Sequence, residues 1–151
     1  MPKMLSTNFS LDEFTLSQTA ARLGLDNTPD AGSLRNLKRL ADTLEQVRAA
    51  LGELPILISS GYRSPALNRA VGGAANSAHL SGLAADFTVP RFGTVLATAK
   101  AVAASGILFD QIIFEFGRWV HLGLAEDGQE ERGQLLSIGV AGSYVPGLRV
   151  V

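Results

Sequence analysis

Two histidines supply every imidazole of this 151-residue chain, and each stands near an acidic residue. His79 precedes Asp86 by seven positions, with Gly82 between them, and His121 follows Glu115 by six. Two imidazoles with one carboxylate form a common ligand set for catalytic zinc, in which a fourth position stays open for water. Such a metal lowers the pKa of water and polarises a substrate carbonyl. The residue types and their spacing therefore allow metal-assisted hydrolysis.

The residues around Asp86 and His121 alternate as they do in β-strands. Between positions 83 and 89, Asp86 lies on a face of small residues, while the opposite face is apolar. A carboxylate in such a strand is costly to bury unless it is paired or bound to a metal. Between positions 119 and 124, His121 shares a face with Trp119 opposite a second apolar face. We expect both segments to be strands that carry their polar residue on the face away from the core.

The position of Glu115 relative to His121 depends on the turn between them. Glu115 belongs to a predicted strand over 111–116, and strand faces alternate with a period of two residues. An odd connection, such as 116–118, places Glu115 on the face of His121, whereas a two-residue Gly117-Arg118 turn separates them. On the shared face, Glu115 can take a proton from water and pass it to a leaving amine. Otherwise it orients a ligand or faces solvent.

Composition excludes several other kinds of site. The chain has no cysteine, which excludes disulfide scaffolds, thiolate zinc sites, iron–sulfur clusters and thiol nucleophiles. Its 13 basic and 14 acidic residues give a net charge of −1, so we expect no nucleic-acid partner. The longest apolar stretch, 95–109, is interrupted by Lys100 and is shorter than the roughly 20 residues of a membrane span. We expect no membrane partner, and the N-terminus lacks the apolar region of a secretory signal.

Periodicity predicts one α+β domain over residues 1–151, with a short tail from about 141. The strongest pattern is an amphipathic helix over 33–51 that ends at Gly52. We expect a small, largely antiparallel sheet that N-terminal helices cover. The other predicted helices are a short one after Ser10, 17–23, 65–70 and 97–105, and the predicted strands are 56–58, 83–89, 111–116, 119–125 and 135–140.

Several short motifs between Phe9 and Leu124 form a more specific pattern. They are S-S-G-Y-R-S-P at 59–65, Asn68, V-G-G at 71–73, S-A-H at 77–79, Gly82, Ala84, Asp86 and W-V-H at 119–121. Together they resemble the M15 zinc metallopeptidases, which are D-alanyl-D-alanine carboxypeptidases and related peptidoglycan endopeptidases. The combination is most similar to the small, single-domain members that are common in phages and prophages.

This resemblance implies a Hedgehog/D-Ala-D-Ala-peptidase-like fold and one Zn²⁺ per chain, held by His79, Asp86 and His121. Arg63 matches the arginine that contacts carboxylate or carbonyl groups of the substrate, and Ser77 matches a serine that lines the substrate site. The residues themselves leave simpler roles open, because an arginine can brace a turn and a serine can cap a loop.

One position departs from the family pattern. Many members carry an acidic residue three positions before the last histidine ligand, where it acts as general base. Arg118 occupies that position here, and the nearest acid is Glu115. The related Hedgehog signalling domain is similar in having a glutamate at the offset of Glu115, so the resemblance implies Glu115 as the base.

The pattern as a whole predicts a zinc-dependent peptidase that acts on stem peptides of bacterial peptidoglycan, as a D,D-carboxypeptidase or an endopeptidase. We expect a monomer with a peptidoglycan peptide as its substrate partner. We also expect it to be made in the bacterial cytoplasm without a signal peptide and released to act on the cell wall. The alternative is a non-catalytic, zinc-stabilised phage structural or cell-wall-binding module, which the missing acid at Arg118 favours.

Overall fold

A six-stranded sheet organises the chain in the computed structural model, which describes residues 2–151. The strand order is β1-β2-β4-β3-β5-β6, and every neighbouring pair is antiparallel except β3 and β5, which are parallel. The expected α+β class with a largely antiparallel sheet is confirmed. The strands are β1 Leu57–Ser60, β2 Ala84–Thr88, β3 Gln111–Glu115, β4 Trp119–Gly123, β5 Gln134–Ile138 and β6 Tyr144–Pro146.

Within residues 2–151, five α-helices and one 3₁₀ helix accompany the sheet. The α-helices are α1 Leu11–Thr15, α2 Gln18–Leu23, α3 Ala31–Ala50, α4 Pro65–Ala70 and α5 Val95–Ala103, and the 3₁₀ helix spans Ala78–Ser81. The helices α3 and α5 each begin two residues earlier than predicted, because Asp30 and Thr94 accept backbone hydrogen bonds at their N-termini. None of the helices within residues 2–151 is long and apolar enough to cross a membrane.

One face of the sheet forms the hydrophobic core. Alternate residues of β3 and β4, such as Ile112 and Leu122, are fully buried in one cluster with Leu40 of α3 and Val102 of α5. Helix α5 packs on β3 and β4 and touches α3. This face is therefore covered by α3 together with the later helix α5, whereas the sequence predicted N-terminal helices only. The residues that alternate with the core positions lie on the opposite face, and Asp86 and His121 are among them.

The turn between β3 and β4 sets which side chains share that opposite face. Three residues connect the strands, and Phe116 and Gly117 both have positive φ, at 57° and 68°. Glu115 therefore pairs with Trp119, and Ile113 pairs with His121. Paired residues project to the same side of a sheet, so Glu115 and His121 share a face. The structure therefore contains the odd, three-residue connection over 116–118 and not the two-residue turn.

The C-terminal residues add structure that the sequence did not predict. The predicted tail from about 141 contains β6, in which Tyr144 pairs with Ile138 of β5. Strand β5 runs parallel to β3, and Ile138 pairs with Glu115. The loop from 124 to 133 carries the chain past β3, so β5 pairs with the outer edge of β3 and does not lie next to β4. The sheet thus continues two strands past Glu115.

Candidate metal centre

Asp86 and His121 are brought together by the register of β2 and β4. The two residues pair directly, and Oδ1 of Asp86 lies 2.9 Å from Nδ1 of His121. Ser60 of β1 pairs with Asp86 on its other side, and Ser59 donates a hydrogen bond to the Asp86 carbonyl oxygen. Asp86 and His121 are both buried. The pairing of β2 with β4 therefore fixes the Asp86 carboxylate next to the His121 imidazole.

His79 reaches the same point from the 3₁₀ helix. Ser77 begins this helix, and its hydroxyl accepts a hydrogen bond from the His79 backbone amide. Gly82 ends the helix with a φ of 72°, a conformation that glycine adopts without strain. A Cβ at Gly82 would also lie 2.6 Å from the carbonyl oxygen of Ser33. The tight helix and the close contact with α3 together direct the His79 ring at Asp86.

The hydrogen bonds of His79 show which of its nitrogens is free to bind a metal. Nδ1 lies 2.6 Å from the carbonyl oxygen of Gly61, and a carbonyl only accepts, so Nδ1 carries the hydrogen. In a neutral ring, Nε2 then holds a lone pair, and it faces Oδ1 of Asp86 at 3.2 Å. Two acceptors face each other there, and a cation between them satisfies both.

The three donor atoms fit a single small metal ion. Those of His79, Asp86 and His121 all lie within 4.8 Å of one another. Tetrahedral zinc, with bonds of about 2.0–2.1 Å to nitrogen and oxygen, needs ligand separations of about 3.3 Å. The separations of 3.2 and 2.9 Å to Asp86 are close to that value. The hydrogen bond from Nδ1 to Gly61 is the kind of outer contact that orients metal-bound histidines.

The electrostatics keep Asp86 ionised. Burial alone raises the pKa of Asp86, but the close contacts with the His121 and His79 imidazoles outweigh burial and hold that pKa well below its usual range. The pKa of His121 responds in the opposite sense: burial lowers it, whereas the hydrogen bond and charge of Asp86 raise it overall. A buried carboxylate between two imidazoles is thus available as an anionic ligand.

Arg63 lies beside the carboxylate on the opposite side from His121. Its Nη2 is 4.0 Å from Oδ2 of Asp86, and its Nη1 donates to Oδ1 of Asn68. Its Nε is buried and has no hydrogen-bond partner within the described residues. The backbone amide of Arg63 donates to the carbonyl of His79, which joins the two loops. The guanidinium is therefore held at the centre while one of its donors stays unused.

Asn68 and Gly73 explain how Arg63 is held. Asn68 is buried, and its amide nitrogen donates to the carbonyl of Ala74. A Cβ at Gly73 would lie 2.5 Å from Nη1 of Arg63 and still closer to Asn68. The sequence motifs include both residues, but they gave neither a role. Asn68 is a positioning residue that fixes the guanidinium, and Gly73 leaves the space that this pair occupies.

Glu115 lies on the metal face, one strand beyond His121. Its Oε1 accepts a hydrogen bond of 2.7 Å from the indole nitrogen of Trp119. Burial raises the pKa of Glu115 and the charge of Asp86 adds to the rise, while His121 and the Trp119 hydrogen bond oppose it. The net result is a carboxylate with raised basicity, held by an indole beside the metal ligands.

A cavity of about 930 Å³ opens at this centre. Asp86, Arg63 and Trp119 line this cavity, as do the end of β1, Thr19 of α2 and Leu67 of α4. The sequence motifs assigned α2 no role at the site. Ser77 lies outside the lining residues and caps the 3₁₀ helix. Arg118, which replaces the family's usual acid, is exposed in the turn.

These features fit a candidate metal site of the kind that hydrolytic enzymes use: two imidazoles and a carboxylate, with a second carboxylate and a guanidinium beside a cleft. Comparison with known families agrees with that class, and the chain belongs to the family described as Peptidase M15, whose profile matches residues 7–123.

A curated relative shares a shorter stretch of sequence. The zinc D-Ala-D-Ala carboxypeptidase of Streptomyces albus G is 49% identical to this chain over 43 residues. The matched stretch covers 28% of this chain and 17% of the relative. The similarity therefore concerns one segment of the relative and not its full length.

Proposed function

We propose that this protein is a zinc-dependent peptidase that hydrolyses peptide bonds in peptidoglycan stem peptides. Its ligands for one zinc ion per chain are His79, Asp86 and His121. The observation that carries the proposal is the pair of facing acceptors, Nε2 of His79 and Oδ1 of Asp86, 3.2 Å apart. Membership of the Peptidase M15 family and the zinc enzyme among the relatives support zinc as the ion.

The proton transfer falls to Glu115. Zinc bound to this set supplies a Lewis acid that lowers the pKa of water and polarises a carbonyl. Glu115 takes the proton of the attacking water and delivers it to the leaving amine, since both histidines are occupied as ligands. The Trp119 indole holds Oε1 of Glu115, so the other carboxylate oxygen is left for the proton. Arg118 cannot substitute as a base, because a guanidinium stays protonated.

The cleft and Arg63 bind the peptide. Arg63 lines the cavity, and its guanidinium can bind a substrate carbonyl or carboxylate. The cavity is large enough for several residues of an extended peptide, since ligand sites of about 300–1,000 Å³ bury drug-sized molecules. Ser77 contributes indirectly by holding His79, and a direct contact with substrate remains our proposal for its hydroxyl.

Peptidoglycan is the substrate that the relative's name supports, because that enzyme acts on D-Ala-D-Ala. The open sheet with its metal face fits the Hedgehog/D-Ala-D-Ala-peptidase-like fold that we propose for this chain. We further propose a single-domain monomer that is made in the bacterial cytoplasm and acts on the cell wall after release. A phage origin and a role at the cell wall belong to the same proposal.

Metal content and hydrolysis of a peptidoglycan fragment test the proposal together. We expect wild-type protein to hold about one zinc, His121→Ala to lose both zinc and activity, and Glu115→Gln to keep zinc and lose hydrolysis. Glu126→Gln is the matched control, because Glu126 is an exposed acid, and it should behave as wild type. A Glu115→Gln variant that hydrolyses at the wild-type rate contradicts the assignment of the base.

The second candidate is a non-catalytic, zinc-stabilised structural or cell-wall-binding module, which the exposed Arg118 at the usual acid position favours. Under that reading zinc stabilises the fold and no fragment is cleaved. Removal of zinc with a chelator would then lower the melting temperature, while the zinc-loaded protein would show no turnover on any muropeptide. Turnover that disappears with the chelator and returns with zinc favours the peptidase.

A further inference from the structure

The metal face of the sheet extends past Glu115 to the last strand. Glu115 pairs with Trp119 on one side and with Ile138 on the other, and Ile138 pairs with Tyr144. Paired residues project to the same side of a sheet. The four side chains therefore form one row across β4, β3, β5 and β6 on the face that holds the metal ligands.

Tyr144 ends this row with an unused donor. Its side chain is 56% exposed, and its hydroxyl has no hydrogen-bond partner within residues 2–151. Two strand spacings, about 10 Å, separate its backbone from that of Glu115. Burial raises the pKa of Tyr144, and the charges of Glu115 and Asp86 add to the rise. The phenol therefore keeps its proton at neutral pH and can donate a hydrogen bond.

The strand order places Tyr144 and Arg63 on opposite sides of the metal centre. Arg63 follows β1 at one edge of the sheet, the metal ligands lie on and beside β2 and β4, and Tyr144 lies on β6 at the other edge. The cavity of about 930 Å³ occupies the Arg63 side. A peptide that crosses the strands with its scissile bond at the metal therefore has one arm near Arg63 and the other near Tyr144.

We propose that Tyr144 is a substrate-binding residue whose hydroxyl donates a hydrogen bond to the peptide arm opposite to the one that Arg63 contacts. This inference rests on the proposed function. It adds a second binding side to the cleft, and it assigns a role to β6, which lies outside the residues that the family profile matches. A site that contacts both arms suits a bond inside a peptide rather than one at its terminus.

Two peptidoglycan fragments that share a scissile bond test this inference, one extended by a residue on the N-terminal side and the other on the C-terminal side. We expect Tyr144→Phe to raise KM about three- to tenfold for one fragment, the loss of a single hydrogen bond. The values of kcat, zinc content and melting temperature should stay unchanged. Arg63→Lys should raise KM mainly for the other fragment. Val145→Thr is the control, because Val145 pairs with Ser137 and projects to the other face.

The outcomes separate this inference from the function on which it rests. If wild-type protein cleaves neither fragment, both the proposed function and the role of Tyr144 are overturned. If wild type cleaves them and Tyr144→Phe leaves both KM values unchanged, or raises them equally, the role of Tyr144 alone is overturned. A selective rise that Val145→Thr does not share supports it.

Discussion

The Nδ1 atom of His79 donates a hydrogen bond to the carbonyl oxygen of Gly61 across 2.6 Å. Gly61 itself packs so closely on α1 that a Cβ would lie 2.6 Å from the carbonyl oxygen of Phe14. The amide of Tyr62, the next residue, donates to that same oxygen. The packing of an N-terminal helix therefore sets the orientation of a proposed metal ligand about 60 residues later in the chain.

We predict that Gly61→Ala weakens zinc binding. The added methyl group pushes the 61–62 backbone away from α1, which costs about 1–3 kcal/mol of folding free energy. The displaced carbonyl then holds His79 less well, and loss of such outer contacts lowers metal affinity by about 10- to 100-fold. Competition with a zinc chelator and thermal unfolding measure the two effects. Gly32→Ala is the control, since a Cβ there meets only ordinary contacts, and equal zinc affinity in both variants contradicts the prediction.

Trp119→Phe should lower kcat and leave zinc content unchanged. Phenylalanine keeps the ring but loses the indole N–H that holds Oε1 of Glu115. A hydrogen bond to a charged group is worth about 1.5–3 kcal/mol, so we expect a loss of about tenfold or more. Steady-state kinetics on a peptidoglycan fragment measure it. Phe116→Leu removes the neighbouring ring that packs on Trp119 and should leave kcat near wild type. An equal loss in both variants assigns Trp119 a packing role only.

As the pH is lowered, the wild-type protein should lose activity at a higher pH than it would if its general base had the pKa of an ordinary glutamate. A general base works as its carboxylate, which prevails above its pKa, and burial raises the pKa of Glu115. Activity is therefore present above this raised pKa and is lost as pH falls through it. In Trp119→Phe this loss of activity should occur at still higher pH. The hydrogen bond from Trp119 favours the ionised form of Glu115, and the variant lacks it. A pH profile with zinc content measured at each point separates this effect from metal loss. If Trp119→Phe loses activity at the same pH as the wild type, the assignment of Glu115 as the general base is contradicted.

Asn68→Ala should raise KM without removing zinc. The substitution deletes the acceptor of the Arg63 Nη1 hydrogen bond and leaves the Ala74 carbonyl unpaired. Loss of a buried partner costs about 1–3 kcal/mol of stability, and a loosened guanidinium positions substrate less well. Kinetics and thermal unfolding measure these two consequences. Asn36→Ala is a control that loses a backbone contact to Ser81 away from Arg63, and it should lower stability while KM stays unchanged.

Glu45→Gln should destabilise the protein by about 1 kcal/mol at neutral pH, the value of a partly exposed hydrogen-bonded group. Glu45 on α3 accepts hydrogen bonds from Ser6 and Asn8 and so fixes the N-terminal segment. Burial alone raises the pKa of Glu45, but these hydrogen bonds outweigh it and lower the pKa. Its contribution is thus present above the unfolded pKa of about 4.3 and is lost as pH falls through the lower folded value.

Denaturant unfolding at neutral and acid pH measures this contribution. Asp42→Asn is the control, since Asp42 is exposed and makes only a 3.6 Å pair with Lys38. The difference between wild type and Glu45→Gln should shrink at acid pH, and zinc content should not change. A difference that grows on acidification contradicts the role of Glu45.

Sequence reasoning located the metal face because alternation in a strand is local. The faces of Asp86 and His121 follow from period-two patterns, and the 10–13 capping box and the 17–23 helix follow from short-range signals that the structure contains. The position of Glu115 depended on the length of one turn, which composition alone left open. The structure resolved it through the positive φ values of Phe116 and Gly117.

The contacts that hold the site were not predictable in the same way. The hydrogen bond from His79 to Gly61 and the cavity wall on α2 join segments that lie far apart in the chain. Strand β6 has three residues, too few for a periodic signal, and the parallel pairing of β3 with β5 follows from the path of a loop. Tyr144 therefore stood in a predicted tail, although the sheet places it in the row of Glu115.

Mass spectrometry of a peptidoglycan digest tests the central claim most directly. We predict that zinc-loaded protein produces new amino and carboxyl ends at a stem-peptide bond, that a chelator abolishes them, and that added zinc restores them. The same spectra identify the bond that is cleaved. Unchanged digestion by metal-free protein, or the absence of new ends with fully zinc-loaded protein, contradicts zinc-dependent hydrolysis of a stem-peptide bond.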